Sequence, residues 1–328
     1  MSPIGVLRFL VLFVGMGGAT HGAFAQSARD SGTSAYAFAT VAEGRAILGA
    51  RDEYVRAISP LERSAKLRTA DEVDEDRFVQ FMQGTVLDWT EEERRRLRPL
   101  LARLDRFLSG LKWKRPGRIL LVRVDTALEN GAPHTRANGI MLAQNEYTGS
   151  ADLLTYVVSH ETFHVLTRED AGLKERLYGA IGFRRCERIE IPESVSRVRI
   201  TNPDAVENRH TIAVRYRDQG VEAMPFVRFK SDDVDTRSGF LANARTAWLL
   251  VDRERADCRV RTGPAAEVTP EELQGLSEQI GRNTQYLAHP EEILADNFFR
   301  LFVSTFRSPP GEVQSPEILE RMRAILFQ

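Results

Sequence analysis

"SHETFHVL", Ser159 to Leu166, sets His160, Glu161 and His164 in an H-E-x-x-H pattern. Residues four apart on an α-helix share one face, a turn apart. Two imidazoles at that spacing can reach a single metal ion at about 2.0–2.1 Å. Glu161 sits about 100° further round the helix. From there it can address a water at the ion without ligating the ion itself. Leu153, Leu154, Val157 and Val158 precede the pattern, and Val165 and Leu166 follow it. The helix is therefore apolar enough to be buried, and a buried carboxylate beside two histidines is costly without a cation to partner it. The stretch predicts a buried helix over Ala151–Thr167, capped by Ser150, that carries a metal centre.

A catalytic zinc takes three protein ligands and keeps one position open. The only cysteines, Cys186 and Cys258, show no CxxC or C-x-H spacing, so the third ligand is sought among His, Asp and Glu. The candidate stretch is "HPEEILADNFF", His289 to Phe299. Pro290 opens a helix there, and Glu292 and Asp296 lie four apart on one face. Glu292 is the expected ligand. Asp296 is expected to accept the remaining N–H of a zinc-bound histidine and so fix its tautomer. Glu291 is the rival ligand, but it has Ala295 four residues on and hence no paired carboxylate. His289, Tyr286, His134 and Tyr178 are candidate donors to an oxyanion, and the sequence does not choose among them.

His160-Glu161-x-x-His164, followed by Glu292-x-x-Ala295-Asp296, resembles the gluzincin group of zinc metallopeptidases, the thermolysin-like zincins. The resemblance implies a zincin-like core: a small sheet, the HExxH helix and a second ligand helix. It implies one zinc ion per chain, held by His160, His164 and Glu292, with Glu161 as general base toward an activated water. It also implies a peptide or protein substrate. It covers the two motif helices and the strand before the first, but not the N-terminal helices or the β-rich segment. The spacing departs from the group: 127 residues lie between His164 and Glu292, far more than in compact members. The metzincin pattern is absent, since His164 is followed by Val-Leu-Thr-Arg-Glu-Asp rather than a G-x-x-H continuation. In zincins a strand at the position of Thr135–Leu142 often lines the cleft and pairs with extended substrate. Asn138-Gly139 reads equally as a plain hairpin turn. Two other functions stay open at this point: a non-catalytic zinc-bearing binding or structural protein, and a zinc amidase acting on cell-wall material.

The 328 residues are 42% apolar and 28% charged, ordinary for a soluble globular protein with a sizeable core. The net charge of −1 leaves no basic excess to neutralise phosphates, which argues against a nucleic-acid partner. Residues 1–25 read as a secretory signal peptide, with Arg8, an apolar run from Phe9 to Ala19, and Ala23-Phe24-Ala25 as the cleavage pattern. That run is too short to span a bilayer. The expectation is an exported protein, periplasmic or secreted, with no membrane span after cleavage. Export places Cys186 and Cys258 where disulfides persist. They either stay separate thiols or form a bridge worth on the order of 4 kcal/mol for a loop of that size. Oligomeric state is not legible.

Residues 26–40 read as a flexible leader. A helical front, 41–112, follows. Its helices are expected at 41–58, ending before Pro60; at 71–83; and after a Thr90–Glu93 capping box. Strands are expected at Arg118–Asp125 and Ile140–Leu142. A β-rich insert, 184–262, has strand-like runs in "RCERIEIP", "VSRVRI", "HTIAVRYR", "EAMPFVRF", "RTAWLLVD" and "CRVRT", punctuated by "TNPD" and "RDQG". Thr269-Pro270-Glu271-Glu272 opens a helix to Ile280, Pro290 opens one to Ser304, and Ser315-Pro316 opens the last. The expected fold is α+β, with 41–328 forming one zincin-like domain.

Overall fold

The computed structural model describes residues 34–112, 117–144, 149–263, 265–306 and 313–327. The expected signal peptide, 1–25, lies outside the described residues, as does the leader up to residue 33. The rest of the leader is a correction. Tyr36–Phe38 is a strand, β1, that pairs in parallel with Ile119–Leu121, and Tyr36 is buried. The segment gains its order from a partner some eighty residues away, which local composition does not encode.

The fold is α+β. The helical front holds five helices: α1 (Val41–Leu48), α2 (Glu53–Ala57), α3 (Pro60–Leu67), α4 (Glu75–Gly84) and α5 (Glu91–Ser109). The single helix expected over 41–58 is two, because Gly49 caps the first and Asp52 starts the second by accepting from Val55 N. Pro60 begins α3 instead of only ending what precedes it, with Ser59 as N-cap accepting from Glu62 N. Proline suits the first helical position because the N–H it lacks has no intrahelical partner there. The Thr90–Glu93 capping box is present at α5.

A four-stranded sheet runs in the order β1, β2 (Ile119–Val124), β4 (Gly139–Ala143), β3 (His134–Arg136). β1, β2 and β4 are parallel, and β3 is an antiparallel edge strand. The Thr135–Leu142 stretch is thus a hairpin turning at Ala137-Asn138, with β3 and not β4 on the free edge. Alternate side chains of β2 and β4 enter different cores, as the two-residue strand period requires. Leu121, Ile140 and Leu142 meet α5 and the motif helix. Val122, Val124 and Met141 meet α1, α2 and α4. A Cβ on Gly44 of α1 would lie 2.7 Å from Val86 Cγ1 and 2.8 Å from Val122 Cγ1. Only glycine lets that helix sit so close to the sheet.

The motif helix is α6 (Ala151–Glu169), followed by α7 (Ala171–Ala180). Ser150 caps α6 by accepting from Leu153 N. Between Val157 and Thr167 every residue of α6 is buried, the sign of a central helix wrapped on all sides. A second sheet follows in the order β5 (Phe183–Arg185), β7 (His210–Tyr216), β8 (Gln219–Phe229), β9 (Ala244–Glu254), β10 (Asp257–Val260), β6 (Arg188–Glu190), and β11 (Glu267–Val268) pairs with β9. Cys186 and Cys258 form a disulfide, with their Cα atoms 5.9 Å apart. "VSRVRI" is the miss in this region. Glu193–Ser196 is a helical turn, and only one bridge, Arg199 to Arg228, follows it. The chain after that bridge leaves the sheet toward α6.

Three C-terminal helices complete the fold: α8 (Leu276–Ile280), α9 (Pro290–Ser304) and α10 (Pro316–Phe327). The helix expected from Thr269 to Ile280 is broken. A short 3-10 turn covers Pro270–Glu272, and Gly275 at φ 82° separates it from α8. α9 lies against α6 through Phe298 and Phe163, whose ring centroids are 5.5 Å apart. Phe107 of α5 meets Phe298 on the far side at 5.5 Å. This aromatic contact sets the two motif helices side by side. No helix among the described residues is long and apolar enough to cross a membrane.

Candidate metal centre

Pro290 starts α9, and His289 is its N-cap, with Nδ1 accepting from Glu291 N at 3.1 Å. Glu291 and Glu292 therefore fall in the first turn, where the free N–H groups and the helix dipole favour negative charge. That end of α9 abuts the middle of α6. Glu292 Oε2 lies 3.0 Å from His160 Nε2 and 3.6 Å from His164 Nε2. Four tetrahedral ligands at zinc distances stand about 3.3 Å from one another, so these separations match a shared ion. The ligand atoms of His160, His164 and Glu292 all lie within 4.8 Å of one another, and all three residues are buried. The group can hold a metal ion.

The histidines are held from behind. His160 Nδ1 lies 3.0 Å from Asp296 Oδ1. Asp296 also accepts from Tyr156 Oη at 2.8 Å and from Thr284 Oγ1. His164 Nδ1 lies 3.2 Å from Glu291 Oε1. Glu291 in turn accepts from Tyr178 Oη at 2.5 Å and from Thr167 Oγ1. Protons on both Nδ1 atoms would leave both Nε2 lone pairs for an ion shared with Glu292, the tautomer that a metal requires.

The electrostatics also ask for a cation. Five carboxylates, of Glu161, Asp204, Glu291, Glu292 and Asp296, surround two imidazoles. Burial by itself lowers the pKa of His160, but the hydrogen bonds to Asp296 and Glu292 outweigh it and raise the value to about 10. His164 is raised too, against burial, by Glu292 and Asp204. Protons here stand where a metal's positive charge would. Burial would raise Glu291, yet the hydrogen bond from His164 and the charge of Lys174 hold it at about 2. Burial, reinforced by the neighbouring Asp204, pushes the Glu161 carboxyl up. Two buried atoms lack a hydrogen-bond partner at the centre itself: His164 Nε2 and Glu161 Oε2. Buried polar atoms are rarely left so, and an ion with its water would satisfy both.

The structure brings His160, Glu161, His164, Glu292 and Asp296 together as the spacing predicts. Glu291 does not face the shared position and supports His164 from behind. Tyr178 is committed to Glu291, and His134 sits on β3 with Nδ1 3.1 Å from Ala132 O. His289 is buried, its ring centroid 6.0 Å from that of Tyr178, and burial lowers its pKa to about 3, leaving it neutral. Tyr286 alone of these candidate donors reaches the surface, being 37% exposed. The sequence reading missed Glu291 as a support, its partner Thr167, and two loop residues from the insert, Asn202 and Asp204. Asn202 Nδ2 donates to Glu292 Oε1 at 2.6 Å. Thr167, three residues after His164 on the same helix face, was the one local signal for the Glu291 contact.

No protein-family model, curated protein or solved structure matches the chain.

Proposed function

We propose that the protein is a zinc-dependent metallopeptidase of gluzincin type. The observation that carries this reading is Glu161. Its carboxylate is buried, and Oε2 has no hydrogen-bond partner beside His160, His164 and Glu292. A purely structural metal site has no use for such a group, which costs on the order of 1–3 kcal/mol to leave unsatisfied. A hydrolase needs it to accept a proton.

His160, His164 and Glu292 would hold a zinc ion, which would supply Lewis acidity toward the scissile carbonyl and a more acidic water. Glu161 takes the proton of the attacking water and returns it to the leaving amine. Asp296 and Glu291 keep the imidazoles oriented through that charge movement. Tyr286, which feels the charges of Glu292, Asp204, Asp296 and Glu161 and reaches the surface, is the candidate to donate to a developing oxyanion. The Cys186–Cys258 disulfide supports export to an oxidising compartment.

The test is cleavage of a peptide library by the zinc-loaded protein, with Glu161→Gln as control. Cleavage by the wild type and none by the variant, both with zinc bound, is the expected result. Zinc bound but no peptide cut would return the choice to the amidase or the non-catalytic reading.

A further inference from the structure

Asp204 forms a group of its own with Glu161 and His164, in which one ligand atom from each lies within 4.8 Å of the others. It shares only His164 with the group of His160, His164 and Glu292. Asp204 is held in place from several sides. Its Oδ1 accepts from Thr135 N and from Thr135 Oγ1 of β3, at 2.6 Å each. Arg168, near the end of α6, donates to Thr135 Oγ1 at 2.7 Å and to the carbonyls of Pro203 and Asp204 at 3.4 Å. Thr201, at the base of the same loop, donates through N and Oγ1 to the buried Glu62 of α3 at 2.8 and 2.9 Å.

The two groups offer different donors. His160, His164 and Glu292 present two nitrogens and one carboxylate, a set that suits zinc. His164 has one lone pair for an ion, at Nε2, because its Nδ1 is turned to Glu291. An ion in the first group uses that lone pair, which leaves Glu161 and Asp204 as a pair of neighbouring carboxylates. All-oxygen sets suit manganese, magnesium or calcium. The pair still asks for a cation once the first group is filled. One divalent ion offsets two of the five carboxylate charges around the imidazoles. Glu161 is buried, and its Oε2 has no hydrogen-bond partner. Asp204 is only partly buried, which leaves its side of the pair open to solvent.

We infer that Glu161 and Asp204 form a second divalent-cation position beside His164, weaker than the first, and that a cation bound there takes Glu161 out of proton transfer. Only the second half rests on the peptidase reading above; binding of the cation does not depend on what the protein cuts. A carboxylate engaged with an ion cannot take a proton from water at the same time, since ligation requires the deprotonated form. Excess of an oxygen-preferring divalent metal therefore inhibits.

The test uses the whole protein with zinc in the first group and manganese(II) as the probe. Manganese binds more weakly than zinc at such ligands, so it does not displace zinc. Loss of the free-ion electron paramagnetic resonance signal counts bound manganese, and elemental analysis checks that zinc stays. The wild type should bind one manganese. Asp204→Asn, whose amide oxygen can still accept from Thr135, and Glu161→Gln should each weaken that binding about tenfold or more and keep zinc. Peptide cleavage by the wild type should fall as manganese fills the position, and in Asp204→Asn the same fall should need about tenfold more metal. A zinc-loaded wild type that binds no manganese overturns the inference. So does manganese bound equally by the wild type and both variants, which places it elsewhere. Manganese bound as expected with cleavage unchanged overturns the effect on Glu161. Manganese bound as expected with no peptide cut in any state supports the second position and sinks the peptidase reading. A wild type that takes up no more zinc than a His160→Ala variant overturns the first group, and this inference with it.

Discussion

Glu291 Oε1 lies 3.2 Å from Nδ1 of His164, on the opposite side of the ring from the Nε2 that faces Glu292. Two adjacent carboxylates on one helical turn thus serve two different atoms of the same imidazole. One stands in the group that could hold a metal ion, and the other holds the ring. Asp296 does for His160 what Glu291 does for His164, so each histidine has its own carboxylate support.

Glu292→Ala and Glu291→Gln are accordingly expected to differ in kind. The first removes a ligand and should abolish tight zinc binding. The second keeps the ligand set and leaves His164 poorly oriented, which typically weakens affinity about 10–100-fold. Competition titration with a chromogenic chelator separates the two. A Glu291 variant that loses zinc outright, beside a Glu292 variant that keeps it, would reverse the ligand assignment.

Glu161→Gln should retain zinc and lose peptide cleavage by roughly 10²–10⁴-fold, the usual contribution of a positioned acid–base group. The same substitution removes a buried carboxylate whose Oε2 has no partner. The metal-free variant should therefore melt no lower than the wild type, and by calorimetry somewhat higher. A lower melting temperature would mean that the carboxylate is held by contacts in the folded state.

The two motif helices were legible because their signals are local. Ser150 and Pro290 mark helix starts, and the i, i+4 spacings put His160 with His164 and Glu292 with Asp296 on single faces. β1 was not legible, because Tyr36–Phe38 is ordered by pairing with Ile119–Leu121. The placement of the loop that carries Asn202 and Asp204 was hidden for a similar reason. "TNPD" reads as a turn between strands, and a turn it is, for Asn202 Oδ1 accepts from Asp204 N at 2.9 Å. Nothing within four residues tells that it turns beside His164, Glu161 and Glu292. That placement comes from Thr135, Arg168 and Glu62, on three separate elements. Pro60 was misread because proline both ends and begins helices, and only the Ser59 cap decides which.

A buried charge cluster under the helical front predicts a pH effect away from the metal. Lys66 is paired with Glu129 and lies 3.6 Å from Glu62 Oε1. Burial raises Glu62 to about 7, against Lys66 and the Thr201 hydrogen bonds and with help from Glu129. Tyr54 and Arg199 also face this cluster. Between the ordinary value of 4.5 and about 7, the folded protein holds a proton on Glu62 that the unfolded chain has released. The stability tied to that proton is complete below about 4.5 and is lost as pH rises through about 7. Urea unfolding of wild type and Glu62→Gln should therefore diverge. The wild type should lose on the order of 3 kcal/mol relative to the variant across that window. Parallel pH profiles would show that Glu62 folds already ionised.

The disulfide offers a test of how far the second sheet is independent of the metal helices. Cys186 and Cys258 sit in a small core with Met224, Phe226, Leu249, Val251 and Val260. The main core between α5, α6 and α9 is separate from it. Replacing both cysteines with serine should lower unfolding stability by about 2–4 kcal/mol and leave the affinity of His160, His164 and Glu292 for zinc unchanged. The loop carrying Asn202 and Asp204 springs from this sheet but is fastened at Thr135, Arg168 and Glu62, all outside it. Zinc release from the double variant should match that of the wild type. A release rate that rises with loss of the bridge would mean that the sheet, and not those three contacts, holds the loop against the centre.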